Sequence, residues 1–585
     1  LTYTAVKNFR FRWIDVADAT HYKLLENPDG VSGFTPVGGD IAPGIQAVDH
    51  VVPLYRRTNA QYLLQSCNAA GCNHSTIVSV NDALAACIGY LKASNTGAGD
   101  GFGGSVSLSA DGNTLAVAAV GEDSNATGTN GNQLDDSAAS SGSVYVFTRG
   151  VSGWSQQAYI KASNTDARDS FGIAVSLSGD GDTLAVGAYQ EDSSATGING
   201  NTSNNLAMQS GAVYVYTRVD GNWSQQSYIK ASNTGTTAPA EVVAGDIFGL
   251  AVSLSADGNT LAVGAPREDS NATGINGAQA DNSGLNSGAA YVFVRNNSAW
   301  RQQAYLKASN TGGSAAGEIV GDLFGAAVSL SADGNTLAVG AENEDSNATS
   351  IDGNQLDNSA ASSGAAYIFG RAGENWSQQA YVKASNTGGS SAGQGASGGD
   401  RFGGAVSLSA DGETLAVGAR WEDSSATGIN GAQADNSALD SGAVYVFVRN
   451  DGAWRQQAYV KASNTAVNYE FGGAVSLSGD GNILAVGAQR EQSNATGIDG
   501  NQTANAVPFA GAVYLFSRTG VNWSQMAYTK ASNTEESDLF GSSVNLAGDG
   551  KTLVVGARQE SSNATGISGN HADNSSMVAG AVYLY

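Results

Sequence analysis

A repeated segment that begins with Phe-Gly constrains the fold of this 585-residue chain more than any other feature. The segment Phe102 to Lys161, which opens with FGGSVSLSADG, recurs until the sequence ends. The seven copies are spaced 69 to 78 residues apart and begin at Phe102, Phe171, Phe248, Phe324, Phe402, Phe471 and Phe540. A period of this kind predicts an architecture of repeated structural units.

Each copy has the local pattern of four short strands. The run AVSLS alternates apolar and small polar residues, and an Asp-Gly pair such as Asp257-Gly258 favours a tight hairpin that leads into TLAVGA. A long polar loop follows, then GAVYVF and W-x-QQAYIKA, which are rich in β-branched and aromatic residues. The single Trp of W-x-QQAYIKA favours packing between outer strands over a sugar site. Each copy therefore predicts one four-stranded antiparallel sheet.

The predicted sheets have two apolar faces, so the copies must stack on one another. An open solenoid and a closed propeller both achieve this, and the chain termini favour the propeller. The last copy stops at Tyr585 after its third strand, while the segment from Gly89 to Thr96, GYLKASNT, matches the end of a fourth strand. We therefore expect an all-β fold with a seven-bladed propeller that the N-terminal strand closes.

The motifs F-G-x-A-V-S-L-S and L-A-V-G-A-P, the latter at Leu261 to Pro266, resemble the FG-GAP repeat of integrin α-subunits and bacterial surface proteins. The resemblance covers about 500 residues and implies a β-propeller. It also implies a calcium loop of the form D-x-D-x-D-G-x-x-D in the first hairpin. Only the Asp-Gly of that loop is present here, since the third copy has Ser253, Ser255 and Leu261 around Asp257. We expect that particular metal site to be missing.

Residues 1–87 lack the repeat and predict a small separate domain. The runs FRFRWIDV, HYKLLENPDG and YLLQSCNAAGC are similar to successive strands of a fibronectin type III-like β-sandwich. Cys67 and Cys72 flank a turn-like NAAG and are expected to form a disulfide, which leaves Cys87 over. The propeller domain then covers 88–585, with 88–96 completing the last blade. The chain opens on Leu1 without a visible signal peptide, so we expect a processed chain or a portion of a longer one.

Charge and hydropathy exclude several classes of protein. The net charge is −25, of which residues 1–87 contribute −1. Such an acidic repeat region argues against nucleic-acid binding, which needs a basic surface. There is no apolar run near the roughly 18 residues of a membrane helix. Together with the expected disulfide, this composition favours a secreted or cell-surface protein.

Spacing within the repeat predicts an ordered face that carries the long loops. The distance from the Phe of each Phe-Gly to the Glu of the long loop is 20 residues in every copy, and to the third-strand Tyr 43 residues. An ordered loop or recent duplication explains this equally well. All length variation precedes the next Phe-Gly, with three longer connections between Thr234 and Phe402. We expect binding on that arc of the face.

Acidic side chains recur on the same face and suggest a calcium site in copies 1, 3, 4 and 5. Calcium prefers six to eight oxygen ligands from flexible loops. The candidate ligands are Asp100, Glu122, Asp123 and Asp135; Asp246, Glu268, Asp269 and Asp281; Asp322, Glu344, Asp345, Asp352 and Asp357; and Asp400, Glu422, Asp423 and Asp435. The alternative is that these acids cap turns by accepting hydrogen bonds from backbone amides.

Catalytic motifs are scarce in the repeat region, which holds one histidine, His571, and no cysteine. We therefore expect a non-catalytic binding or structural protein that acts in adhesion or matrix assembly, with a protein or glycan ligand on a surface or matrix. A polysaccharide lyase or hydrolase is the alternative. Self-assembly into an extracellular filament, through the N-terminal domain or the closing strand, is a third interpretation.

Overall fold

Seven four-stranded antiparallel sheets dominate the described part of the chain. The computed structural model describes residues 1–4, 6–80, 82–234, 245–311, 321–387 and 399–585. We number the sheets 1 to 7 in chain order and count the strands of each sheet along its ladder. Sheets 1 to 3 comprise Phe102–Leu108, Thr114–Ala119, Ser143–Gly150 and Gly153–Ile160; Val175–Leu177, Thr183–Ala188, Ala212–Val219 and Asn222–Ile229; and Ala251–Leu254, Thr260–Ala265, Ala289–Asn296 and Ala299–Leu306.

Sheets 4 to 7 repeat the same order, and the last sheet takes its fourth strand from the N-terminal part of the chain. They comprise Phe324–Leu330, Thr336–Ala341, Ala365–Ala372 and Asn375–Val382; Phe402–Leu408, Thr414–Ala419, Ala443–Asn450 and Ala453–Val460; Phe471–Leu477, Ile483–Ala488, Ala512–Thr519 and Asn522–Thr529; and Phe540–Leu546, Leu553–Ala557, Ala581–Leu584 and Gly89–Leu91. In sheet 7, Tyr90 lies opposite Tyr583 in an antiparallel ladder.

Local side chains build the hairpin between the first two strands of each sheet. In sheet 3, Asp257 accepts hydrogen bonds from the Ser255 hydroxyl at 2.6 Å and from the Asn259 amide at 2.9 Å. Gly258 has φ +65°, and a Cβ there would lie 2.7 Å from the Thr183 hydroxyl of sheet 2. The Asp-Gly pair thus serves the left-handed turn and the close contact with the neighbouring sheet.

Backbone hydrogen bonds link these hairpins from one sheet to the next. The amide of Ala110 in sheet 1 donates to the carbonyl of Gly179 in sheet 2 at 2.9 Å. The same step recurs from Gly179 to Ala256, from Ala256 to Ala332, from Ala332 to Ala410, from Ala410 to Gly479 and from Gly479 to Gly548. The amide of Asp549 in sheet 7 then donates to the Ala110 carbonyl at 3.1 Å. Sheet 7 therefore contacts sheet 1 through the same kind of bond.

The repeat Trp packs against the neighbouring sheet. Trp300 is 6% exposed, and its Nε1 donates to Gln226 Oε1 of sheet 2 at 2.9 Å. The Arg295 guanidinium lies 5.3 Å from the centre of the Trp300 ring. Five of the six repeat tryptophans are buried, at Trp223, Trp300, Trp376, Trp454 and Trp523, and all of these except Trp454 donate Nε1 to a Gln of the preceding sheet. This agrees with the packing role expected from the sequence.

The N-terminal residues form two further antiparallel sheets. One comprises Thr2–Thr4, Asn8–Arg12 and Ala47–Val51; the other comprises Thr35–Ile41, His21–Asn27, Gln61–Asn68 and Gly71–His74, with Val78–Ser79 pairing on Gln61–Asn68. Short 3-10 helices span Leu54–Arg56 and Asp82–Cys87. Phe11 and Tyr62 pack in the core with ring centres 4.8 Å apart. Cys67 and Cys72 form a disulfide, and Cys87 is a buried free thiol.

These N-terminal sheets pack on the hairpins of sheets 6 and 7. The buried Lys7 donates from Nζ to the Lys551 carbonyl at 2.6 Å and to Thr552 Oγ1 at 2.7 Å. The Tyr55 hydroxyl donates to the Gly550 carbonyl. Burial lowers the pKa of Lys7 to about 7. Within the described residues, no helix is both long and apolar enough to cross a membrane.

Candidate binding face and its acidic loops

The long loops between the second and third strands lie together with the connections that lead into the next sheet. In sheet 1 the loop residue Ala139 accepts a hydrogen bond from the Arg168 amide at 2.8 Å, and Ser141 accepts one from the Phe171 amide at 2.9 Å. We call the surface formed by these loops and connections the loop face. The opposite edges of the sheets, with the Asp-Gly and Trp hairpins, form the hairpin face.

The glutamate of every long loop is buried in an ion pair with the lysine that directly follows the fourth strand. The Nζ to Oε2 distances are 2.7 to 2.9 Å, and both side chains are at most 1% exposed in all seven pairs. The pairs are Glu122–Lys161, Glu191–Lys230, Glu268–Lys307, Glu344–Lys383, Glu422–Lys461, Glu491–Lys530 and Glu560–Lys92. The last pair joins the N-terminal strand of sheet 7 to the long loop of the same sheet.

Further donors saturate each of these carboxylates, as sheet 2 shows. Glu191 accepts from Lys230 Nζ at 2.7 Å and from the Tyr228 hydroxyl at 2.8 Å. Asn164, which follows the fourth strand of sheet 1, donates to Glu191 at 3.1 Å and accepts from the Tyr214 hydroxyl at 2.7 Å. The network thus ties neighbouring sheets together. Burial lowers the pKa of Lys230, although the adjacent carboxylate opposes that shift.

Glu122, Glu268, Glu344 and Glu422 thus have protein partners that the sequence did not predict, and their expected metal ligation stays a prediction. Their oxygens already accept bonds from a lysine and from further donors such as an Asn or a Tyr. The lysine was not among the residues predicted from the sequence, although its spacing of 39 residues after the glutamate recurs in the first six copies. A fixed Glu to Lys spacing between buried strand ends is the sequence signal for this pair.

In sheets 1, 3, 4 and 5, the aspartate that follows the paired glutamate caps the far end of its own loop. Asp123, Asp269, Asp345 and Asp423 each accept a hydrogen bond at 2.7 to 2.8 Å from the backbone amide 17 residues further along the chain. The four donors, Ser140, Asn286, Ser362 and Asp440, have φ between +51° and +52°. The carboxylate therefore stabilises a left-handed turn at that point. Burial raises the pKa of Asp269 and of Asp423.

The later acids of the loop also accept hydrogen bonds from backbone amides. Asp135, Asp281, Asp357 and Asp435 accept from the amide two residues ahead at 3.0 to 3.1 Å. Asp352 accepts from the Tyr381 amide at 2.9 Å, as Asn276 does from Tyr305 in sheet 3. The described residues contain no group of three or more His, Cys, Asp or Glu side chains arranged to hold a metal ion.

The aspartates two residues before Phe-Gly are buried beneath the loop face. Asp100, Asp246, Asp322 and Asp400 are 2 to 4% exposed. Burial raises the pKa of Asp100 to about 6, and the neighbouring Glu122 adds to the rise. Burial and Glu191 likewise raise the pKa of Asp169 to about 8. In copy 1 the structure brings three of the expected ligands together, since Asp100, Glu122 and Asp123 line one cleft of about 270 Å³. Calcium binding stays a prediction.

The arc expected to bind a ligand falls largely outside the described residues. Its three long connections include residues 235–244, 312–320 and 388–398.

Three loop-face positions in each repeat vary while the framework around them recurs. They are the residue between the buried Asp and the Phe, and the two residues before the paired Glu. Five arginines occupy these positions: Arg267, Arg401, Arg420, Arg490 and Arg558. An alignment of the seven copies, position by position, shows these five arginines where the other copies have different residues.

In one such cluster, in the loops of sheets 4 and 5, both arginines form ion pairs. Arg401 and Arg420 pair with Glu342 at 3.3 and 3.1 Å. The Arg401 guanidinium lies 3.9 Å from the centre of the Trp421 ring. One carboxylate therefore serves both guanidinium groups.

Comparison with protein families identifies FG-GAP repeats in this chain. The FG-GAP repeat family matches residues 154–216, 223–293, 454–516 and 523–585. The comparison with curated proteins finds no match.

Among solved structures, the chain is similar to propeller-like proteins at low identity. A putative 6-phosphogluconolactonase from Bacteroides uniformis is 9% identical, with 88% of this chain and 97% of that chain covered and a TM-score of 0.37. The periplasmic gluconolactonase PpgL of Pseudomonas aeruginosa is 13% identical, with 88% and 98% covered and a TM-score of 0.38. The WD40 repeats of RRP9 are 9% identical, with 85% and 96% covered and a TM-score of 0.42. At these values the similarities say nothing about activity.

Proposed function

We propose that the seven sheets are the blades of a closed propeller and that the protein binds a ligand at the cell surface or in the extracellular matrix through its loop face. In this proposal it is a non-catalytic component of adhesion or matrix assembly. Closure is supported by the pairing of Gly89–Leu91 with Ala581–Leu584 and by the hydrogen bond from Asp549 to Ala110.

One observation carries the functional part of the proposal: the repeated polar residues serve the framework, whereas the residues that vary lie on one face. The seven Glu–Lys pairs are buried and bind each other. The variable positions before the Glu and the Phe include exposed arginines on the loop face. Variable side chains on a rigid scaffold are typical of a recognition surface.

The N-terminal part of the chain supports the proposed location and domain organisation. The disulfide between Cys67 and Cys72 supports an oxidising compartment, as expected for a secreted or surface protein. The two antiparallel sheets with a shared aromatic core support a fibronectin type III-like domain over residues 1–87. This domain contacts the hairpin of sheet 7 through Lys7 and Tyr55, and Ala85 lies next to Gly497 in the long loop of sheet 6.

Polymer labelling of single faces tests the proposal. Leu134 and Leu356 lie on the long loops of sheets 1 and 4 and are 86% and 88% exposed. Val151 and Val521 lie on Trp hairpins of sheets 1 and 6 and are 111% and 70% exposed, so they form a matched control on the other face. Each pair is changed to cysteine and coupled to a polyethylene glycol maleimide, and the buried Cys87 is shielded from this reagent.

Attachment is then measured on an array of acidic and neutral polysaccharides and extracellular-matrix proteins. We expect the loop-face label to abolish attachment and the hairpin-face label to leave it unchanged. Equal loss from both labels, or no loss from the loop-face label, would contradict the proposal. Release of shortened sugars from the array would instead favour the lyase or hydrolase alternative.

A further inference from the structure

A cleft opens on the loop face between sheets 6 and 7. Its volume is about 290 Å³, and its lining includes Gln489, Arg490 and Phe509 from sheet 6 and Ser537, Arg558 and Gln559 from sheet 7. Two guanidinium groups, two side-chain amides, a hydroxyl and an aromatic ring therefore converge on one concave site. A few polar groups around an apolar surface are typical of a ligand site.

Arg490 is held in place on one wall of this cleft. Its Nη1 lies 3.0 Å from Glu470 Oε1, and its guanidinium lies 5.6 Å from the centre of the Phe509 ring. Gln489 donates to the other Glu470 oxygen at 2.6 Å. The Arg490 side chain is nevertheless 44% exposed. A fixed and accessible guanidinium loses little conformational entropy when it binds an anion.

Arg558 supplies an uncompensated positive charge to the same cleft. Its side chain is exposed and has no hydrogen bond or ion pair with any described residue. In contrast, Arg401 and Arg420 share the Glu342 carboxylate. Glu470 forms an ion pair with Arg490, and Asp440 also acts on Arg490 electrostatically, whereas Arg558 brings to the cleft a positive charge with no acidic partner among the described residues. That charge favours an anionic ligand.

Phe509 occupies a backbone position that suits a smaller polar residue. It has φ +56° and is 39% exposed. The corresponding residue in sheet 3 is Asn286, with φ +51°. A bulky side chain in the left-handed region costs free energy, and such costs concentrate at functional sites. The exposed Phe509 ring provides an apolar platform at the point where Arg490 is displayed.

We propose that this cleft binds an anionic sugar, a uronate or sulfated residue of a polysaccharide chain. The proposal rests on the proposed binding function and names its ligand class. The acidic group would lie between Arg490 and Arg558, the apolar face of the sugar ring would pack on Phe509, and the side chains of Gln559 and Ser537 would bind hydroxyl groups. This combination favours a sugar over an acidic peptide, which offers no hydroxyl-rich ring.

Calorimetric titration of the full chain tests the ligand class. The probes are a galacturonic acid trimer, a sulfated galactose trimer, a neutral galactose trimer and the peptide Glu-Glu-Glu. We expect at least one acidic trimer to bind and the neutral trimer not to bind, with affinity falling as salt is added. The two acidic trimers distinguish a carboxylate from a sulfate ligand. Tighter binding of the peptide than of either acidic sugar would overturn the proposal.

Variants locate the site. Arg490→Gln and Arg558→Gln should each weaken binding about tenfold or more, the loss expected when a charge-assisted contact worth about 1.4 kcal/mol is removed. Phe509→Asn should weaken binding without lowering the melting temperature, because asparagine tolerates φ > 0. Arg267→Gln is the matched control, since Arg267 takes the place of Arg490 in sheet 3, where Asn286 replaces the aromatic ring.

Unchanged binding in both arginine variants, or an equal loss in Arg267→Gln, would overturn the cleft assignment. If the polymer label on the loop face still abolished attachment in that case, the proposed function would stand and only this site would fail. If no probe binds and the array also shows no attachment that depends on the loop face, both proposals fail.

Discussion

Removing the lysine of one buried ion pair should destabilise the protein far more than removing an exposed one. Lys230 and Glu191 are at most 1% exposed and 2.7 Å apart. In Lys230→Met the Glu191 carboxylate stays buried with only neutral donors, such as Tyr228 and Asn164. An uncompensated buried charge of this kind costs about 3–5 kcal/mol of the free energy of unfolding.

The loss should depend on pH and on the remaining charge. The uncompensated carboxylate of Lys230→Met is expected to take up a proton as the pH falls, so the variant should regain stability relative to the wild type between pH 8 and pH 5. The double variant Glu191→Gln/Lys230→Met removes both charges and keeps a side chain that Tyr228 and Asn164 can bind. It should be more stable than Lys230→Met at pH 8.

Urea unfolding of the full chain, followed by tryptophan fluorescence, measures these differences. The control is Glu374→Gln, which breaks the exposed pair with Arg301, whose side chains are 75% and 44% exposed. That change should cost less than about 1 kcal/mol. If Lys230→Met unfolds at the same urea concentration as Glu374→Gln, or if its loss is the same at pH 5 and pH 8, the buried pairs do not stabilise the sheets as argued.

Three further predictions address closure, pH dependence and metal binding. Deleting residues 1–96 removes the fourth strand of sheet 7 and the Lys92 partner of Glu560. This truncated protein should aggregate and should melt at a lower temperature than a protein that lacks only residues 1–87. If both truncated proteins are monomeric and melt at the same temperature, the closing role of residues 88–96 is refuted. The pKa of Asp169 is about 8 in the folded protein, against 3.8 for the free side chain. Between about pH 4 and 8 the folded state therefore binds more protons than the unfolded state, and it loses stability as the pH rises through this window. Asp169→Asn should raise the melting temperature at pH 8 and change it little at pH 4. Calorimetric titration of metal-free protein with calcium checks the calcium prediction. We expect calcium to bind in repeats 1, 3, 4 and 5, and Asp269→Asn to bind about one ion fewer. A titration that shows no heat of binding would leave turn capping as the role of these acids.

The features that the sequence alone determined are those governed by neighbouring residues. The alternation of AVSLS and the Asp257-Gly258 turn predict a hairpin because they act within about ten residues of one another. The seven copies in one register predict the seven sheets that the described residues contain. The fragment Gly89 to Thr96 carries the pattern of a missing fourth strand, and Gly89–Leu91 occupies that place in sheet 7.

The roles of the acidic side chains were decided by tertiary structure. From the sequence, Glu191 is an acid in a polar loop, and a metal role is a natural hypothesis for its counterparts in copies 1, 3, 4 and 5. Its partner Lys230 lies 39 residues away, directly after the fourth strand, and Asn164 belongs to the preceding repeat. These groups meet only when the sheets stack and exclude water, and that burial makes a lysine the necessary partner of the carboxylate. The cleft around Arg490 and Arg558 depends in the same way on two adjacent sheets, so no single repeat contains it.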